Sequence, residues 1–297
     1  MASNLRAQRA PPVQTLPPPL SGETFAFDSA GARVAGYVAG NGPPMLLVHS
    51  VNAAASAAEV RPLFEHYAAT HTVFAIDLPG FGLSDRTPRH YVPRLMTDAV
   101  LDALAAVEAK VGAQPVHVLG LSLACEFVVR AALEAPQRVR SLALVSPTGL
   151  ASGPARRGRT GHHLGMPWLL RGLRAIGSGR PVYRGLTRPG VIRYFLRRTW
   201  GSPRIDEALW RYDVLTARAP GAEHAPLHFV SGYLFSADIE DLYDRLTVPV
   251  WMCHGIRGDF TNYRKAERFV ARPNWRIAVF PAGALPQFEV LPAMTQA

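Results

Sequence analysis

Val116-His117-Val118-Leu119-Gly120-Leu121-Ser122-Leu123-Ala124-Cys125-Glu126 is the stretch whose reading decides the fold. An apolar β-type run leads through Gly120 into Ser122. It then passes without a turn signal into Phe127-Val128-Val129-Arg130-Ala131-Ala132-Leu133-Glu134, which reads as a helix. A serine at a strand-to-helix turn this tight sits at strained dihedrals, so only small residues fit two positions before and after it. Gly120 and Ala124 meet that need, although the second position is more often glycine. The stretch is predicted to be a nucleophile elbow with Ser122 at its tip.

Working outward, strand and helix patterns alternate. Thr24–Phe27 and Ala32–Ala39 read as two antiparallel strands around the turn at 28–31. Met45–Val48 and Thr72–Ile76 read as buried parallel strands, with a helix from about Ala57 to Tyr67 between them. Met96 to Val111 has one apolar stripe and reads as an amphipathic helix. Further strands are expected at Val139–Val145, Val248–Cys253 and Trp275–Phe280. The expectation is an α/β protein with a mostly parallel central sheet and right-handed crossovers.

Four segments are expected. Residues 1–20 form a proline-rich, poorly ordered tail, without the apolar run of a signal peptide. Residues 21–148 and 233–297 form the two parts of the core, and 149–232 an inserted helical cap. Gly, Pro, Trp and Arg crowd that insert, and helices such as Val191–Trp200 and Ile205–Ala217 replace strands there.

The net charge is +10, and of the 32 basic residues only Lys110 and Lys265 are lysines. Two readings stand: a surface rich in arginine for reasons of base composition, or a basic face meeting anionic lipid or an acidic substrate. Zinc-ligand spacing, RNP-type strands and a helix-turn-helix pattern are missing, so no nucleic-acid partner is expected. No metal and no cofactor are expected either, because no histidine or cysteine has ligand spacing. The two cysteines, Cys125 and Cys253, lie beside core elements and are read as reduced thiols of a cytoplasmic protein.

Several landmarks now fall in order. They are Leu46-Leu47-Val48-His49, Asp77-Leu78-Pro79-Gly80-Phe81-Gly82-Leu83-Ser84, the elbow, His254-Gly255 and Gly283-Ala284-Leu285-Pro286-Gln287-Phe288-Glu289. With them the chain resembles the α/β-hydrolase fold superfamily in its capped, serine-nucleophile form, over about residues 25 to 289. The resemblance implies an α/β-hydrolase fold and acyl-transfer chemistry, which needs a nucleophile, a base, an orienting acid and oxyanion donors. Ser122 aligns with the nucleophile. Backbone amides of Leu123 and of Val51 or Asn52 align with the oxyanion donors. The Asn52 side chain either adds an amide or only caps a turn. Asp259 aligns with the acid, one residue later than usual.

The base position is occupied by Ala284, which cannot accept a proton. No histidine follows His254. In subtilisin, loss of the histidine alone costs roughly 10⁶ in kcat. His224 and His228, beside Glu223, are the candidates for a relocated base, against the plainer reading that they pack the cap. His49 and His254 read as loop-shaping residues. The functional expectation is a serine hydrolase acting on an ester, lactone or carbon–carbon bond of a small apolar substrate, with a missing or non-standard base. The alternative is a catalytically silent member that binds a small apolar ligand or a protein. A dehalogenase or epoxide hydrolase would need a carboxylate where Ser122 stands.

Overall fold

A computed structural model describes residues 16–257 and 262–297. Eight strands form one sheet: β1 (Glu23–Ser29), β2 (Ala32–Ala39), β3 (Pro44–Val48), β4 (Thr72–Ile76), β5 (Val116–Leu121), β6 (Val139–Val145), β7 (Val250–Gly255) and β8 (Trp275–Phe280). Their spatial order is β1-β2-β4-β3-β5-β6-β7-β8. The β1–β2 and β2–β4 pairs are antiparallel, and all the others are parallel. This is the expected α/β-hydrolase architecture, with β5 and its serine near the centre.

Helices α1 (Arg61–Tyr67), α2 (Pro93–Val111) and α3 (Ala124–Glu134) connect the first strands. The helix expected over 57–67 is split, because Ala57–Val60 is a 3-10 turn capped by Ser56 and Pro62 opens a separate α-helix. Two apolar clusters sandwich the sheet. One joins Leu46, Val48, Phe74, Ile76 and Val118 to α2 and α3. The other joins Leu47, Leu119, Leu121 and Val145 to Leu63, Phe64 and the insert.

Between β6 and β7 the chain runs through α4 (Pro167–Arg174), α5 (Arg180–Leu186), α6 (Pro189–Trp200), α7 (Glu207–Thr216), α8 (His224–Val230) and α9 (Ile239–Arg245). Short helices α10 (Pro286–Glu289) and α11 (Leu291–Gln296) follow β8. The end of the expected tail is not loose: Leu20 is buried, and Tyr212 donates a hydrogen bond to the carbonyl of Pro17 at 2.8 Å. Residues 1–15 lie outside the described residues. Among the described residues, no helix is long and apolar enough to cross a membrane.

Candidate active site

Ser122 follows β5 directly and precedes α3 by one residue, and its φ is 55°. A non-glycine residue adopts that conformation only where its surroundings enforce it. Here its amide donates to the carbonyl of Val145 at 2.8 Å, and its carbonyl accepts from the Cys125 amide at 3.1 Å. Gly120 is needed for the same turn: a Cβ there would lie 2.8 Å from Cγ2 of Val128 and 3.0 Å from the Cys125 backbone. Ser122 is half-buried, and the positive end of the α3 dipole points at the turn.

The first loop after β3 supplies the neighbouring wall. His49 donates from Nδ1 to the carbonyl of Ser50 at 2.6 Å, and its Nε2 accepts from the Leu78 amide at 2.9 Å. Both ring nitrogens are therefore used to shape loops. Glu59 is buried and accepts from the Ser50 amide at 2.8 Å and the Asn52 side-chain amide at 2.6 Å. Burial pushes its carboxyl pKa up. The Asn52 NH2 also donates to Oγ of Ser50, and its oxygen accepts from the Ala54 amide. Of the two readings of this side chain, the structure thus favours the turn cap. The backbone amides of Val51 and Leu123 make no backbone hydrogen bond among the described residues.

The Asp77–Ser84 loop explains its own motif. Asp77 accepts from Tyr37 OH at 2.6 Å and from the amides of Ala57 and Leu83 at 2.7 and 2.8 Å. Gly82 has φ 49°, and a Cβ on it would lie 1.9 Å from the Asp77 carboxyl carbon. Ser84 donates to the Asp77 carbonyl and accepts from the Ala35 amide.

The other side of the site differs. Among the described residues, no hydrogen bond joins the Ser122 hydroxyl to any side chain. Ala284 donates from its amide to the carbonyl of Thr199 at 2.8 Å, so the end of α6 sits on the loop that carries it. Neither candidate for a relocated base meets the serine. His228 is buried, donates from Nδ1 to the carbonyl of His224 at 2.8 Å, and packs against His90, Tyr91 and Tyr233. Its Nε2 is buried without a partner, and burial lowers its pKa to about 4. His224 is half-buried, with its pKa also lowered by burial. His254 donates to the carbonyl of Gly255 at 3.0 Å and stacks on Tyr263 at 4.0 Å. Asp259 lies outside the described residues.

Three residues went unremarked in the sequence. Asp213 on α7 is 3% exposed, and its Oδ1 has no hydrogen-bond partner. Burial, then the nearby charge of Glu59, pushes its carboxyl pKa well up. Tyr183 on α5 donates to the carbonyl of Ala53 at 2.8 Å, joining the insert to the first loop. Ser146 follows β6 with φ 50°, and its buried hydroxyl faces the Tyr263 side chain. Strand register places it between Ser122 and His254. Only the Ser146-Pro147 dipeptide hinted at a special turn there.

A cavity of about 770 Å³ lies at the opposite ends of the strands, lined by Met45, His117, Ser141, Trp251 and Trp275. One of about 240 Å³ lies within the insert beside Tyr183 and Glu223. Ser122 lines neither. No group of three or more potential metal ligands occurs among the described residues. Both cysteines are free and buried, with thiol pKa values raised by burial.

Residues 43–173 match a family model described as alpha/beta hydrolase fold. The chain is 36% identical over 118 residues to a protein of Azorhizobium caulinodans provisionally named a carbamate hydrolase, covering 40% of this chain and 42% of that one. It is 34% identical over 111 residues to a pimeloyl-[acyl-carrier protein] methyl ester esterase of Xylella fastidiosa, covering 37% and 39%. The matched part thus spans about two fifths of each curated relative. The solved structure of 2-hydroxy-6-oxo-6-phenylhexa-2,4-dienoate hydrolase from Rhodococcus sp. strain RHA1 superposes with a TM-score of 0.70 over 93% of this chain and 97% of that one, at 21% identity. At that identity the likeness is one of fold. Strand order, the strained serine between β5 and α3, and these matches lead to one conclusion: the chain is a protein of the α/β-hydrolase fold.

Proposed function

We propose that this protein is a serine hydrolase of low turnover, acting on an ester, lactone or carbon–carbon bond of a small apolar substrate. The observation that carries the reading is Ser122 at φ 55° in the one-residue turn between β5 and α3, with Gly120 giving the turn its room, which is the placement of a nucleophile elbow. Its hydroxyl oxygen attacks the carbonyl carbon, and the amides of Leu123 and Val51 stabilise the oxyanion. Asp259 is the acid in this reading. With a methyl group at 284, the proton of Ser122 passes to a group supplied by the substrate or to water. That loss limits the rate, while the oxyanion donors still supply part of the acceleration. The insert, 149–232, acts as the cap, and the two buried thiols suit a cytoplasmic location.

The named activities of the relatives, carbamate, methyl ester and dienoate hydrolysis, all attack a carbonyl-type carbon and fit this reaction class. The test is exposure to a fluorophosphonate probe followed by mass spectrometry. A single adduct on Ser122, absent from Ser122→Ala, supports the proposal. An unmodified Ser122 at saturating probe overturns it.

A second reading rests on a different observation. The Ala284 amide is bonded to the Thr199 carbonyl, so the end of α6 packs directly on the loop at 284. A silent member that binds a small apolar ligand or a protein partner would keep the elbow as scaffold. Ligand-induced stabilisation without an adduct or turnover favours it.

A further inference from the structure

Residues 151–205 contain twelve arginines and no aspartate or glutamate. Soluble surfaces usually mix both signs, so a one-sign stretch of this length calls for an explanation. The nearest acids beyond it are already engaged: Asp206 by Arg61, Glu207 by Arg193 and Glu223 by Arg180. Arg171, Arg184, Arg188 and Arg197 are exposed and make no ion pair among the described residues.

The same stretch carries the large apolar groups that the fold leaves in water. Trp168 and Ile176 are each 66% exposed, and Tyr194 is 53% exposed. Helix geometry places these groups on outward faces. In α4, Leu170 and Leu173 pack inward against Leu227 and Tyr233, leaving Trp168 and Arg171 on the far side. In α6, Ile192, Leu196 and Trp200 are buried at a spacing of four, which turns Tyr194 and Arg197 outward. Aromatic and aliphatic side chains thus stand beside uncompensated arginines along α4 and α6.

We propose that the outer face of this helical insert, α4 to α6, docks on an anionic lipid surface. Arginine guanidinium groups would pair with lipid phosphates, while Trp168 and Ile176 enter the boundary between headgroups and acyl chains. Aromatic anchors at that depth are what a membrane interface selects. Arginines without acidic partners beside a protruding tryptophan and isoleucine match the charged headgroups and the apolar layer beneath them. Docking goes beyond the hydrolase reading and does not depend on Ser122.

The experiment is co-sedimentation of the full chain with phosphatidylcholine vesicles, with and without phosphatidylglycerol. Binding is expected only to the anionic vesicles and is expected to weaken with salt. Arg171→Glu, Arg184→Glu and Arg188→Glu each lower affinity by roughly fivefold or more. Trp168→Asp with Ile176→Asp lowers it at least about tenfold. Both residues are exposed, so an unchanged melting temperature verifies the fold of that variant. Ser122→Ala binds as the parent does, which separates this proposal from the catalytic one. No binding to anionic vesicles overturns docking. Salt-sensitive binding indifferent to Trp168 and Ile176 also overturns it, because these side chains then do not enter the lipid boundary.

Discussion

The two sides of Ser122 are built to different standards. In the loops after β3 and β4, the groups next to the elbow are engaged: His49 uses both nitrogens, and Asp77 takes three donors. Glu126, fully buried in the first turn of α3, accepts from Thr148, Arg156 and the Ser236 amide. Among the residues of the insert and the last loops, Asp213 Oδ1, His228 Nε2 and Gln287 Oε1 are buried without partners. Burying an unpaired polar group costs about 1–3 kcal/mol. The engaged side holds the serine in its strained turn. The last loops also carry Ala284, where the resemblance would place a base.

The contrast makes quantitative predictions. Glu126→Ala strands Arg156 and two further donors, so denaturant unfolding should show a loss of about 3–5 kcal/mol. If that loss proves below about 1 kcal/mol, the engaged side is not what holds the elbow. Gly82→Ala forces a Cβ into the Asp77 carboxyl at a positive φ, and a loss of about 2–3 kcal/mol is expected by the same assay.

On the unpaired side, substitutions should change pH dependence more than stability. The His228 pKa is depressed to about 4 in the folded state. Its contribution is therefore present above the unfolded value near 6.5 and is lost as pH falls from there toward 4. Melting temperature should drop over that window, and His228→Phe should remove a part of the slope equivalent to roughly 1–2 kcal/mol. Asp213 has the opposite sign. Its folded-state pKa is raised, so its contribution is present at acid pH and is lost as pH rises through that value. Asp213→Asn should flatten this slope, with a gain over the parent at alkaline pH and none in acid. Equal slopes in parent and variant would mean that Asp213 titrates normally.

How much could be read beforehand follows the same division. The elbow and the Asp77–Ser84 loop were legible because local geometry restricts residue choice. A serine at positive φ needs Gly120, and a carboxylate wrapped by its own loop needs Gly82. The sheet was legible because buried parallel strands are short, apolar and regularly spaced. Asp213 was not legible, since its burial and its nearness to Glu59, remote in sequence, both come from folding. Nor was the place of His163, which bridges to Ser236 and packs on Tyr233. That pairing crosses the whole insert and leaves no local pattern. Strand and helix ends shifted by a few residues wherever proline opens a helix early, as Pro93 does for α2.

The central claim is that Ser122 remains a poised nucleophile deprived of its proton acceptor. The most direct measurement compares rates of fluorophosphonate labelling at Ser122 in the parent, Ala284→His and Ser122→Ala, with folding verified by circular dichroism. The account predicts slow labelling of the parent, a rise of at least about tenfold in Ala284→His, and none in Ser122→Ala. A folded Ala284→His protein that labels no faster than the parent, or a parent labelled only elsewhere, would contradict it.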